Sequence, residues 1–177
     1  MKNPFIIGTN IYLRACEDDD KNIWAETENH PDPREFLFYA LPSSPAEQLV
    51  KLEQAIADHK TVLFTICEKE SDKSIGVTAF YRVDWISRAA VYYIAIAQKE
   101  NWSKGYGREV TNLMIDYAFE TLNLNRIQLH VYVGNERAVK AYQKCGFKIE
   151  GTLREAMFHK GHYCDFYVMG LLSSEKK

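Results

Sequence analysis

Residues 105–121 constrain this chain most. Val110, Leu113, Met114, Tyr117 and Ala118 recur there at helical spacing, with Arg108, Glu109, Asp116 and Glu120 on the opposite side. A strand-like run, residues 88–97, precedes that helix. After a turn at 123–125, Ile127, Leu129, Val131 and Val133 alternate with Gln128, His130 and Tyr132, the period-two pattern of another strand. Strand, helix and strand in that order predict a parallel crossover, because parallel strands need a long connection between them.

The remaining segments build outward from this unit. Runs 61–67, 74–83 and 88–97 are separated by short polar links, which predicts antiparallel hairpins. Upstream, residues 6–15 read as one strand, and 18–29 as a helix interrupted near Pro31 and Pro33. Ser44 begins a second helix with a capping box, Pro45 at the first helical position and Glu47 three residues on; Leu49, Leu52 and Ile56 would form its buried stripe. Downstream, Asn135 caps a helix whose inner face is Ala138, Ala141, Tyr142 and Cys145. Gly146 ends it before two final strands at 147–158 and 162–172. The expected class is α/β with a mixed sheet, in a single domain over 1–172 followed by a polar tail at 173–177.

Composition narrows the class of partner. With 46% hydrophobic residues the chain can bury a sizeable core, and 22 basic against 24 acidic residues give no general attraction to nucleic acid or an anionic membrane. No run approaches the ~18 apolar residues of a membrane helix, and residues 1–10 lack the pattern of a signal peptide. Cys16, Cys67, Cys145 and Cys164 lie far apart without a Cys-x-x-Cys pair, so they read as reduced thiols, and the five histidines show no metal-ligand spacing. These features point to the cytoplasm, with no metal, nucleic acid or membrane partner.

Chemistry concentrates in two stretches. The first is Trp102-Ser103-Lys104-Gly105-Tyr106-Gly107-Arg108, between a strand and the start of the central helix. Its glycines allow close backbone approach, and free N–H groups in a first helical turn make a seat for phosphate. Lys104 and Arg108 can add charge. A Walker loop is excluded because no Gly-Lys-Ser/Thr closes it; a dinucleotide fingerprint is excluded because Val110 holds the third glycine position. A helix start that merely needs flexible residues is the competing explanation. The second stretch runs Asn135-Glu136-Arg137-Ala138-Val139-Lys140-Ala141-Tyr142-Gln143-Lys144-Cys145-Gly146-Phe147. From periodicity alone Tyr142 is a core aromatic, and Cys145 packs behind it.

Together, in this order and about thirty residues apart, the two stretches resemble the coenzyme-binding motifs of the GNAT superfamily of N-acetyltransferases. Residues 147–155 and Lys160-Gly161-His162-Tyr163-Cys164-Asp165 resemble the branch containing ribosomal-protein N-terminal and spermidine acetyltransferases. The likeness is strongest over 88–172. It implies a central mixed, mostly antiparallel sheet, splayed at the coenzyme site and flanked by helices. It also implies acetyl-CoA as cosubstrate, with its pyrophosphate on the amides from Trp102 to Arg108 and its pantetheine arm beside Ala95, Ile96 and Ala97. Asn135 and Ala138 would contact the coenzyme, and Tyr142 would occupy the general-acid position.

The implied reaction is direct attack of a primary amine on the thioester, the amine belonging to a protein N-terminus or to a small molecule such as a polyamine. An ammonium of pKa near ~10.4 must first lose a proton. Many family members use a strand glutamate for this, but Tyr92 stands at the equivalent place, which leaves Glu26, Glu28, His30 and His130 as alternatives. The missing glutamate also keeps open a non-catalytic acyl-CoA sensor. Acidic Glu26, Glu28, Asp32 and Glu35 can attract a cationic amine or simply form a solvated helix face; Phe36, Phe38 and Tyr39 can line a pocket, a core or a dimer contact. A homodimer fits the resemblance.

Overall fold

The computed structural model describes residues 1–176, so the expected tail extends one residue, Lys177, beyond the described part. Among the described residues the strands are β1 (Ile6–Ile7), β2 (Ile11–Arg14), β3 (Val62–Glu68), β4 (Ser74–Asp84), β5 (Ala89–Ile96), β6 (Arg126–Tyr132), β7 (Lys148–His159) and β8 (His162–Leu172). The α-helices are α1 (Lys21–Asn29), α2 (Pro31–Leu37), α3 (Pro45–Ala57), α4 (Tyr106–Asp116) and α5 (Glu136–Lys144). All strands join one sheet in the order β1-β2-β3-β4-β5-β6-β8-β7, and β5–β6 is its parallel pair. The expected crossover through α4 is therefore present within a mostly antiparallel α/β sheet.

Three local readings change. The run 6–15 is a hairpin rather than one strand: Ile6 pairs with Leu13, and the Gly8 amide closes the turn on the Ile11 carbonyl at 2.9 Å. Pro31 does not merely interrupt a helix but opens α2, where a missing N–H costs nothing, and His30 Nδ1 caps it by accepting from Asp32 N at 3.2 Å. In α3 the Ser44–Glu47 capping box forms as read, yet Ile56 is 66% exposed; Gln48, Leu49 and Leu52 make the inner stripe instead. The C-terminal Ser173–Glu175 segment is a short 3₁₀ turn, tied down by an ion pair between Glu175 and Lys148.

Alternation along the strands assigns the two faces of the sheet. Phe64, Ile66, Ala90 and Tyr92 join the larger core, which also holds Val110 and Met114 of α4 and Val139 of α5. Leu63, Tyr93, Ala95 and Ala97 face the other way, onto Ile23 and Trp24 of α1 and Leu52 of α3. Adjacent tyrosines at 92 and 93 thus belong to opposite faces, which decides their roles below. Beyond α4 the chain widens into a π-type turn, Tyr117–Thr121, where the Leu122 amide reaches back to the Tyr117 carbonyl at 3.0 Å.

Candidate active site

The parallel strands β5 and β6 pair through Ala89↔Arg126, Ala90↔Ile127 and Val91↔Gln128, and then separate. A cavity of about 1030 Å³ opens in the gap. Its walls are the end of β5, the amino end of α4, one side of α5 along its length, part of α2, the outer half of β6 and Phe166 of β8. Pairing that stops after three residues leaves main-chain groups of β5 facing open space, where an amide-bearing ligand can satisfy them.

Helix α4 points its first turn at this space. Gly105 precedes it with φ of 87°, a conformation that favours glycine. Among the described residues, none of the amides of residues 103–108 donates to a protein acceptor. Trp102 differs: its amide is spent on Lys99 O at 2.9 Å, so the row of open donors begins one residue later than the motif suggested. Arg108 and Arg137 also line the cavity, and neither has a carboxylate partner among the described residues. Arg137 instead lies over the Trp102 ring at 4.3 Å, and the Trp102 indole N–H donates to Ile96 O at 3.0 Å. Unspent amides, a helix amino terminus and unpaired guanidinium groups suit a ligand carrying several phosphates.

Most of the motif residues meet at this cavity. Ala95, Ile96, Trp102, Ser103, Gly105, Gly107, Arg108, Asn135, Ala138 and Tyr142 line it. Ala97, Lys104 and Tyr106 stand outside its wall. The Ala97 amide donates to Ile75 O at 3.0 Å, Lys104 Nζ donates to Asn101 Oδ1 at 3.2 Å, and the Tyr106 hydroxyl donates to Glu68 Oε1 at 2.6 Å. Each of these groups is committed to the scaffold.

Tyr142 is held by packing and left free at its tip. Asn135 fixes the start of α5 by accepting from Ala138 N at 3.2 Å, which places Tyr142 two turns along the same helix. Its ring meets Phe147 at 5.9 Å and Tyr92 at 6.4 Å, edge to face in both cases. Its hydroxyl has no hydrogen-bond partner among the described residues, and the side chain lines the cavity. Burial, and secondarily the neighbouring Cys145, pushes the phenol above its ordinary pKa, so it carries its proton throughout the neutral range. Burial likewise pushes the Cys145 thiol up to about 11, which leaves it a poor nucleophile.

Tyr92 offers no base. Its hydroxyl is buried against Thr111 Oγ1 at 3.1 Å, on the α4 side, and Thr111 in turn donates to Gly107 O at 2.7 Å. Of the four alternatives, His130 lines the cavity. Glu26 accepts from Gln98 at 3.1 Å, Glu28 pairs with Lys51 at 2.7 Å, and His30 caps α2. Asp32 and Glu35, expected as attractors of a cation, sit on the surface beside Lys99 and Lys160.

The other end of the cavity is aromatic and apolar: Pro33, Phe36, Leu37, Tyr93, Tyr132 and Phe166 line it. Phe36 also meets Trp102 edge-on at 6.1 Å. Phe38 is core, stacked on His159 at 4.3 Å, and the Tyr39 hydroxyl is hydrogen-bonded to that of Tyr93. Two contributions escaped sequence reading. Arg137 is an unremarked surface residue of α5 until its stacking is seen, and Tyr93 gives no signal beyond its strand position.

Residues 10–148 match the family model described as the acetyltransferase (GNAT) domain. The chain belongs to the GNAT acetyltransferases. It is 33% identical over 173 residues to spermidine N(1)-acetyltransferase of Vibrio cholerae, with 96% of each chain covered. The crystal structure of the V. cholerae spermidine N-acetyltransferase in complex with CoA and spermine superposes with a TM-score of 0.87 at 32% identity, covering 94% of this chain and 97% of that one. A dodecameric structure of the V. cholerae enzyme in an intermediate state gives 0.78 at 33% identity, covering 93% and 95%. This GNAT protein is an acetyl-CoA-dependent N-acetyltransferase that acts on an amine. Among the described residues no helix is long and apolar enough to cross a membrane, and no cluster of acidic, histidine or cysteine side chains is arranged to hold a metal.

Proposed function

We propose that this GNAT enzyme acetylates a linear aliphatic polyamine by direct attack, and that Tyr142 protonates the sulfur as it leaves. The observation that carries the proposal is the Tyr142 hydroxyl, unpartnered on the cavity wall where β5 and β6 part. In this reading the residue 103–108 amides, with Arg108 and Arg137, hold the phosphates, and the β5 edge at Ala95 and Ile96 takes the pantetheine arm. The amine nitrogen bonds to the acyl carbon, the carbon–sulfur bond breaks, the phenol proton passes to sulfur, and the proton shed by the acetylated nitrogen restores the phenol by way of solvent. The aromatic far wall favours the neutral amine that attack requires, since a low-polarity surround disfavours the charged form. We assign to His130, exposed at the cavity rim, the relay of the ammonium proton to solvent.

The polyamine class is supported by the spermidine acetyltransferases to which the chain is similar along nearly its whole length. We further infer one catalytic unit over residues 1–172, working in the cytoplasm as a homo-oligomer whose smallest form is a dimer. The exposed apolar side chains of β7, among them Leu153, Met157 and Phe158, and the dodecameric relative support such assembly. Steady-state release of CoA tests the substrate class, with spermidine, an amino sugar and a peptide amino terminus as competing acceptors. The largest kcat/KM is expected for spermidine. A peptide that outpaced it would reject the polyamine and leave the acetyltransferase in place.

A further inference from the structure

Behind Tyr93, between the sheet and helices α1 and α3, lies a second cavity of about 410 Å³. Trp24, Tyr39, Tyr81 and Tyr93 line it, with Glu28 as its carboxylate. Tyr81 and Tyr93 meet edge-on at 5.8 Å, and the Tyr39 and Tyr93 hydroxyls are hydrogen-bonded to each other. The Trp24 indole N–H is buried without an acceptor among the described residues. The Glu28 charge reaches all three phenols: after burial, it is among the causes that raise Tyr39, Tyr81 and Tyr93, Tyr81 up to about 12.

Several aromatic faces around one carboxylate form the chemical pattern that recognises an alkylammonium. The protein already places one there. Lys51 of α3 holds its ammonium 2.7 Å from Glu28, with its own side chain 53% exposed and the carboxylate only 19% exposed. An exposed lysine is a weak incumbent, because such pairs contribute little net energy and exchange readily with solvent.

Tyr93 is the wall common to both cavities. The acceptor end of the first cavity is aromatic and carries no carboxylate among the described residues, so nothing there compensates a second positive charge on the acceptor. We propose that the second cavity seats the distal ammonium of the acceptor, which displaces Lys51 from Glu28 while the proximal amine reaches the thioester beside Tyr93. Glu28 then sets the preference for diamines over monoamines. This rests on the polyamine reading above.

The test compares kcat/KM for spermidine with that for n-butylamine, in the unmodified enzyme and two variants. Glu28→Gln should lower the spermidine-to-butylamine ratio about tenfold, through KM, as expected for a lost charged hydrogen bond. Lys51→Met should raise the ratio roughly threefold by freeing the carboxylate. Opposite signs are the signature of exchange, and a ratio within one protein is insensitive to partial misfolding. If both variants lower the ratio, Glu28–Lys51 is only a strut between α1 and α3 and the proposal fails; it fails equally if neither variant moves the ratio. An unmodified enzyme that turns over other amines but not spermidine would reject the polyamine reading before either variant is made.

Discussion

Two arginines show how differently this molecule treats charge. Arg14 donates to both oxygens of Asp20 at 2.8 Å and to the Ala15 carbonyl at 2.9 Å, while Asp20 also accepts from Thr65 Oγ1 at 2.7 Å and Glu17 N at 2.8 Å. The side chains of that pair are 8% and 2% exposed. Arg137 lies over an indole and meets no carboxylate among the described residues. In the first region the polar groups answer one another, and the result is a fixed joint between β2, β3 and the entry to α1. In the second, amides, guanidinium groups and a phenol are left unanswered along one cavity. Unspent donors gathered in one place are costly for folding alone, and that surplus separates the site from the scaffold.

Breaking the fixed region should have the largest effect. Asp20→Asn leaves a buried guanidinium without its counter-charge and should cost about 3–5 kcal/mol of stability, read as a lower urea midpoint. A loss under about 1 kcal/mol would mean that the joint tolerates an uncompensated charge, and the contrast would collapse. Tyr142→Phe should do the reverse, lowering kcat about 100-fold while stability changes little, because its hydroxyl has no partner to lose among the described residues. The phenol must be protonated to act and is held above its ordinary pKa of 10, so unmodified kcat should persist past pH 10 and fall only at higher pH. That alkaline limb should vanish in the variant; full turnover by the variant at every pH would remove Tyr142 from the mechanism. The smallest effect sharpens the comparison. A methyl at Gly107 meets only Ile96 Cδ1 at 3.9 Å, so Gly107→Ala should melt normally yet raise KM for acetyl-CoA about tenfold by crowding the phosphates. An unchanged KM would place the phosphates elsewhere.

Legibility followed the range of the interactions. The Ser44–Glu47 box, the Asn135 cap and the crossover through α4 depend on neighbours in sequence, and each could be read directly. The hairpin at Gly8 was hidden because apolar residues on both sides of a three-residue turn resemble one strand. Ile56 looked buried because its spacing fits the stripe, but α3 has turned past the sheet by its last turn, and no periodicity reports where a neighbouring layer ends. The open amide row was legible because it belongs to one contiguous loop. The aromatic end of the cavity was not, since α2, β5, β6 and β8 come together there only in three dimensions. The meeting of Tyr39 with Tyr93 across 54 residues of sequence separation has no local trace.

Trp102 gives the enzyme a built-in optical reporter. Its ring sits under a cation, and its N–H rests on the last carbonyl of β5, so any molecule that settles between them changes the polarity around the indole. With the coenzyme seated at this loop as proposed, its binding can be followed from emission colour and intensity, with no label and without waiting for catalysis.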